Sequence, residues 1–385
     1  MEQRINEFIE TRRAGGLLRS LCDVEPTAGA KVLIGGKEYV NLSSNDYLSI
    51  ASHPDIVNAM QGAGVPASAS SRLMTGTRKE HSLLEEKVAA FKGKEAALIF
   101  NSGYQANIGI ISALCSRGTA VYCDKLSHAS IIDGIKLSGA KMFRFKHNDM
   151  DHLEDLLSSG RGNYKNALII TETVFSMDGD TPDLKRITEL KDRFDCMLML
   201  DEAHATGIFG KNGSGWAEEA DISASVDVLM GTFSKALGGF GAYAATSSSV
   251  REYLINTCRS FIYSTSLPVN IVLADSAGLD VVFSEPERRK ELLLNSAYMR
   301  ERLIEKGFRP LGGSQIIPIV VPDNKTTLRL SADLRKKGYW VTAVRPPTVP
   351  AGESRIRISL NYDHKRRDID AFIEALAEVS GDQQW

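Results

Sequence analysis

CMLMLDEAHATG occupies residues 196–207 and VLMGTFSKALGG occupies residues 228–239. Each begins as a short, continuously apolar run and ends in charged, hydroxyl and glycine residues. Neither shows the period-2 alternation of a strand with one wet face. Both therefore read as strands buried on both faces, the pattern of a parallel sheet covered by helices. Working outward, AALIF (96–100), AVYCD (120–124) and ALIITETVF (167–175) repeat the pattern. Helical stretches such as HSLLEEKVAAFKG separate them. Strands alternating with helices predict an α/β fold with a mostly parallel central sheet. Ligands of such sheets bind beyond the carboxyl ends of the strands. Here those ends read NSGY, DKLSH, TVFSMDGD, DEAHATG and TFSKALGG.

Three regions are expected. Residues 1–45 form an N-terminal arm. Its helix reaches to about residue 20, with Ile5, Phe8 and Ile9 on one face, and its hairpin at 31–42 turns at Gly35-Gly36. Residues 46–284 form a large α/β domain. Within it, the Gly/Ala/Ser-rich stretch 62–77 (GAGVPASASSRLMTGT) reads as a functional loop. From 285 a charged helix, IIPIVV, YWVTAVRPPTVP and RIRISL predict a smaller α+β domain running to 385.

The 385 residues carry 46 Lys plus Arg against 48 Asp plus Glu, a net charge of −2. That balance argues against a nucleic-acid or anionic-membrane binder, which needs a basic surplus. No apolar run approaches the ~18 residues of a membrane span. MEQRINEFIE lacks the apolar core of a signal peptide. Five cysteines without a CxxC pair, several in apolar runs, predict buried thiols in a reducing compartment. A cytoplasmic enzyme is expected.

Two residues dominate the search for chemistry. Asp201 leaves a buried strand at its C-terminal end, where a carboxylate needs a partner or caps the next helix. Lys235 follows the next buried strand, 34 residues later. Desolvation there suits a Schiff-base lysine, although an isolated loop lysine is usually a surface charge. One crossover unit separates the two, so they are able to converge on one ligand. NSGYQAN (101–107) opens a helix, whose N-terminal N–H groups suit a phosphate, and Gly103 permits close approach. Tyr104 or His128 would stack on an aromatic ring; the plain alternative for His128 is a helix cap. No GxGxxG follows a strand and no GxxxxGK[ST] occurs. There is no HExxH, and His128 and His204 lack a third ligand at useful spacing, so no metal is expected.

In order along nearly the whole chain, SSNDYL (43–48), NSGYQAN (101–107), DKLSHAS (124–130), TETVFSMDGD (171–180), DEAHATG (201–207), TFSKALGG (232–239), YSTS (263–266) and RPPTVPAG (345–352) resemble the α-oxoamine synthase family. These are fold-type I pyridoxal-5′-phosphate (PLP) enzymes. The resemblance implies PLP as cofactor and decarboxylative condensation of an amino acid with an acyl thioester. It implies that Lys235 binds PLP covalently and moves the Cα proton, and that Asp201 pairs with the pyridine nitrogen. His204 and Ser176 would bond near the phenolic oxygen and His128 would stack on the ring. Gly103, Tyr104 and Thr232 would seat the phosphate and ring. Arg357 would take the amino-acid carboxylate, Asn45 would line the site, and Arg19 and Thr348 would contact the acyl group. RPPTVPAG with the N-terminal TRRAGGLLR implies L-alanine and a pimeloyl thioester, on CoA or a carrier protein, as substrates. Glycine with acetyl-CoA is the sister alternative. YSTS implies a homodimer in which this segment lies near the neighbour's phosphate. Rivals outside the family are a nucleotide-binding oxidoreductase, disfavoured by the missing fingerprint, and an inactive partner subunit, disfavoured because Asp201 and Lys235 are both present. Two positions depart from the family pattern: Ala67–Arg72, usually richer in glycine, and Ala205, often glycine.

Overall fold

The computed structural model describes residues 1–27, 29–62, 64 and 68–381. Ala67, and with it part of the small-residue loop at 62–77, lies outside the described residues. The strands run in chain order as β1 (Glu25–Pro26), β2 (Lys31–Ile34), β3 (Lys37–Asn41), β4 (Ala96–Phe100), β5 (Thr119–Asp124), β6 (Lys141–Phe145), β7 (Asn166–Glu172), β8 (Met197–Asp201), β9 (Val228–Thr232), β10 (Ala242–Thr246), β11 (Ile316–Val320), β12 (Tyr339–Trp340), β13 (Thr342–Val344) and β14 (Arg355–Ser359). The chain divides into two compact units. One contains Met1–Ser49, Met177–Asp180 and Lys290–Trp385; the other contains Ile50–Ser176 and Thr181–Arg289.

The second unit holds a seven-stranded sheet in the order β4-β10-β9-β8-β7-β5-β6. All neighbours are parallel except β10, which runs antiparallel to both β4 and β9. The five apolar runs read from the sequence are all strands of this sheet. Two strands lacked that signature. β6 is an edge strand with exposed Lys141 and Arg144, and β10 is built largely from alanine. Alternate residues Val121, Cys123, Leu168, Ile170, Met199, Val228 and Met230 pack one face against helices Gly103–Leu114 and Ala129–Ser138 through Ile110, Ile111, Ile131 and Ile135. The intervening Tyr122, Ile169, Leu198, Leu200 and Leu229 are buried too. Each such side chain contributes about 1.5–3 kcal/mol. With both faces covered, polar chemistry is confined to the strand ends.

Helices Gly103–Leu114 and Ala129–Ser138 approach closely because residue 134 is glycine. A Cβ there would lie 3.0 Å from the Asn107 carbonyl oxygen and 3.1 Å from Ile111 Cβ. The contact brings Asn107 beside Ser130.

In the first unit, β2 and β3 form the expected hairpin. Gly35 and Gly36 have φ of 57° and 75°, the left-handed pair of a two-residue hairpin turn. The N-terminal helix is shorter than expected. It spans Glu2–Ala14 and stops where Gly15-Gly16 follows, with Gly16 at φ 65°. Arg19 therefore stands beyond the helix rather than on it. Ile5 and Phe8 remain largely exposed. This unit also holds β1-β2-β3-β12, in which β12 joins β3 in parallel, and the antiparallel sheet β11-β14-β13. Residues 1–45 and the segment from Lys290 onward lie together in it.

Candidate active site

Six elements of the second unit deliver polar residues to the C-terminal edge of its sheet. Asp201 ends β8 and is buried. No helix follows directly; residues 202–210 form turns, so Asp201 is not a helix cap. Its Oδ1 accepts the Ala203 N–H at 2.9 Å and its Oδ2 accepts from Asn107 Nδ2 at 2.9 Å. Asn107 Nδ2 also donates to Ser130 Oγ at 2.9 Å, and Ser130 Oγ lies 2.7 Å from His128 Nδ1. A continuous hydrogen-bonded chain thus joins the Asp201 carboxylate to the His128 ring.

His128 is the N-cap of helix Ala129–Ser138, as the plainer sequence reading had it, with Nδ1 accepting the Ser130 N–H at 3.3 Å. Capping engages Nδ1 as an acceptor and puts the ring proton on Nε2. Burial lowers the imidazole pKa; Asp201 opposes that shift and Lys235 adds to it. The cap, Asp201 and Lys235 are therefore one electrostatic neighbourhood around a neutral ring. Tyr104 meets His128 edge-on, with ring centroids 6.2 Å apart. Its hydroxyl donates to Asp133, which raises the Tyr104 pKa.

Lys235 is half-buried in a tight turn after β9, closed by Gly238 N–H to the Lys235 carbonyl at 3.0 Å. The glycines of this loop serve packing rather than phosphate binding. A Cβ on Gly239 would lie 2.0 Å from Asp275 Oδ1, and one on Gly238 2.8 Å from the Ala51 nitrogen. His204 is buried in the turn after β8.

Gly103 opens helix Gly103–Leu114 behind the N-cap Ser102, whose Oγ accepts the Gln105 N–H at 3.2 Å. A Cβ at Gly103 would lie 2.8 Å from Thr232 Cγ2. Thr232 Oγ1 is buried without a hydrogen-bond partner. A helix N-terminus, a glycine that lets Thr232 pack against it and the unsatisfied Thr232 hydroxyl together make a cradle suited to a phosphate.

Sequence reasoning passed over three residues here. Asn107 and Ser130 were quoted only within motifs. Glu172, at the end of β7, pairs in register with Asp201. It is buried and accepts the His128 N–H at 2.7 Å. Burial first, then the Asp201 charge, push its pKa up to about 8, against the His128 N–H, Lys235 and the Ser176 N–H. Its signal was a carboxylate closing an apolar strand, the same that singled out Asp201.

Arg19, Asn45, Thr348 and Arg357 all lie in the first unit. Arg19 Nη2 donates to Thr348 Oγ1 at 2.8 Å, joining residues 329 apart in sequence. RIRISL places Arg355 and Arg357 on one face of β14. Arg355 is fully buried and spends its charge on Asp178 at 2.6 Å. Arg357 instead donates to Ser359 Oγ at 2.7 Å and Asn45 Oδ1 at 3.4 Å, and Tyr47 donates to Asn45 Oδ1 at 3.0 Å. Among the described residues no group of three or more His, Cys, Asp or Glu side chains is placed to hold a metal, and no helix is long and apolar enough to cross a membrane.

Residues 37–376 match the family model for aminotransferase class I and II. An 8-amino-7-oxononanoate synthase from Geobacter sulfurreducens is 45% identical over 98% of each chain. One from Geotalea daltonii is 44% identical, also over 98% of each. Among solved structures, Sphingomonas wittichii serine palmitoyltransferase superposes with a TM-score of 0.92 at 29% identity, covering 98% of this chain and 96% of its own. A serine palmitoyltransferase from S. paucimobilis, solved with a PLP–myriocin adduct, gives 0.92 at 28% identity with the same coverage. The chain therefore belongs to the class I and II aminotransferase family, in its α-oxoamine synthase branch, alongside the 8-amino-7-oxononanoate synthases.

Proposed function

We propose that this protein is a PLP-dependent acyltransferase of biotin biosynthesis. It condenses L-alanine with a pimeloyl thioester to give 8-amino-7-oxononanoate, CO2 and the free thiol carrier. The observation that carries this reading is the end-to-end likeness to synthases of that name. The residues at the strand ends fit the cofactor. Asp201 would hold the pyridine nitrogen, and Gly103, Tyr104 and the unsatisfied Thr232 hydroxyl would seat the phosphate. His204 and Ser176 would bond the phenolic oxygen, and Lys235 would make the covalent attachment. Bound there, PLP supplies an electron sink for carbanion chemistry at Cα.

The protein's own groups do the rest. The Asn107–Ser130 chain would orient the neutral His128 ring toward the cofactor. Arg357 takes the alanine carboxylate through its guanidinium fork and so sets which Cα bond is broken. The Lys235 amine would accept the Cα proton and later return one. The Cα then bonds to the thioester carbonyl carbon, the thiolate leaves, and the carboxyl group departs as CO2. Arg19 and Thr348 would engage the acyl donor, and Asn45 would fix the Arg357 side chain. A cytoplasmic homodimer is part of the proposal. Leu73, Met74, Phe240 and Tyr263 are all more than half exposed in the second unit, which suits burial against a second copy.

The decisive experiment is a donor and acceptor panel on the purified holoenzyme, with products read by mass spectrometry. L-alanine with pimeloyl-CoA should have the highest kcat/KM. Faster turnover of glycine with acetyl-CoA, or of L-serine with palmitoyl-CoA, would refute the assignment. Borohydride reduction should fix the cofactor to Lys235; a modified peptide carrying another lysine would remove Lys235 from its role.

A further inference from the structure

Glu172 closes β7 and Asp201 closes β8, and the two stand opposite each other in register. Residues in register on neighbouring strands present side chains to the same face. Two carboxyl groups, each less than one-tenth exposed, therefore share one patch of the sheet edge. The charged and titratable groups facing Glu172 are Asp201 from β8, His128 from the turn after β5 and Lys235 from the turn after β9. The donors are divided between the acids. Asp201 receives Asn107 Nδ2 and the Ala203 N–H. Glu172 receives the backbone N–H of His128 at 2.7 Å and that of Ser176. Like charges side by side in a poorly solvated patch repel, and the relief is a proton on one of them.

We propose that Glu172 is a positioning residue that keeps a proton at neutral pH, anchoring the His128 backbone without adding a second negative charge beside Asp201. The inference rests on the PLP site proposed above. A neutral Glu172 needs only one oxygen to accept the His128 N–H, so protonation does not cost that bond. An ionised Glu172 would favour the charged forms of both His128 and Lys235. Its neutrality leaves Asp201 as the charged acid of the pair and adds no further pull toward a charged His128 ring. The upward shift of its pKa agrees with this arrangement.

Glu172→Gln and Glu172→Ala separate the possibilities. Glutamine keeps a carbonyl acceptor and the shape while fixing the group as neutral; alanine removes the acceptor. In the PLP-free protein at neutral pH, infrared difference spectroscopy should show a protonated-carboxyl band that Glu172→Gln abolishes. In the holoenzyme, Glu172→Gln should keep near-normal turnover at neutral pH and lose one alkaline step from the pH profile. Glu172→Ala should lose about tenfold or more, because the buried His128 N–H is left unsatisfied. If no such band exists, or if glutamine is as damaging as alanine at neutral pH, Glu172 works as a carboxylate and the inference falls. If no amino acid and thioester pair is turned over, the proposed function fails, while the infrared measurement still decides the state of Glu172.

Discussion

Lys92 is the last residue of helix Lys79–Lys92 and its ammonium is fully buried. It lies 2.6 Å from Glu202 Oε2, 3.2 Å from Thr206 Oγ1 and against the Ser214 carbonyl oxygen. Glu202 stands between Asp201 and His204, and its other oxygen accepts the Ala217 N–H at 2.8 Å. Burial alone would lower the Lys92 pKa, but Glu202 and Tyr243 outweigh it and the net shift is upward. Lys92→Met leaves the Glu202 carboxylate buried with one remaining donor, a loss of about 3–5 kcal/mol. The unit concerned has roughly 240 residues; at about 2.1 cal/mol/K per residue its unfolding entropy is about 0.5 kcal/mol/K. The melting temperature should then fall by about 6–10 °C. The raised lysine pKa means that the pair contributes throughout neutral pH and is lost only above the ordinary lysine range, so the deficit should be flat between pH 6 and pH 9. Calorimetry of the PLP-free protein measures it. Lys92→Met combined with Glu202→Leu should recover most of the loss, because an apolar pair replaces an ionic one. A single-variant shift below about 2 °C would refute the view that the Lys92–Glu202 contact stabilises the fold.

Gly103→Ala should keep the fold and weaken PLP binding to the apoprotein by about 1–3 kcal/mol, since its Cβ would crowd Thr232; unchanged affinity in a fluorescence titration would show that the cradle is elsewhere. Cys22 is exposed, whereas burial raises the thiols of Cys115 and Cys123 to about 12, Cys196 to about 11, and Cys258 upward as well. Aromatic disulfide reagents should thus find a single fast thiol in the native protein and five after denaturation. For Glu172, the folded pKa of about 8 lies above the ordinary glutamate value of 4.5, so its contribution to stability is full below pH 4.5 and is lost as pH climbs to about 8. The stability of Glu172→Gln relative to the parent apoprotein should rise over that window; a pH-independent difference would contradict the shift.

The sheet was legible because its strands are buried on both faces. Continuous runs such as Met197–Leu200 read as buried strands, and the polar residues that follow each run mark the edge where the proposed site lies. β6 and β10 escaped because their local patterns are weak. Edge exposure breaks the apolar run of Lys141–Phe145, and alanine carries little strand preference in Ala242–Thr246. The first helix is shorter than the expected reach to about residue 20 because two glycines at 15 and 16 end it. Lys235, Asp201 and His128 stand out in the sequence by their positions after strand ends. Lys92 does not, because nothing local to a helix C-terminus announces a carboxylate 110 residues away.

Asn107 makes the cap reading of His128 compatible with the proposed stacking role. A histidine capping a helix is held through Nδ1 and the following backbone, which fixes the ring plane. That same fixation is what a ring needs in order to lie flat against a cofactor. The cap alone would leave the orientation dependent on one turn of helix. The Asn107 amide supplies a second tether by donating at once to Ser130, which bonds His128, and to Asp201. This bridge exists because Gly134 lets the two helices approach, with backbone and side chain of the first within 3.0–3.2 Å of a Cβ placed there. A packing glycine with no chemistry of its own thus sets the distance between a carboxylate and an imidazole. No motif scan weighs it, since the information lies in a contact between helices rather than in either helix alone.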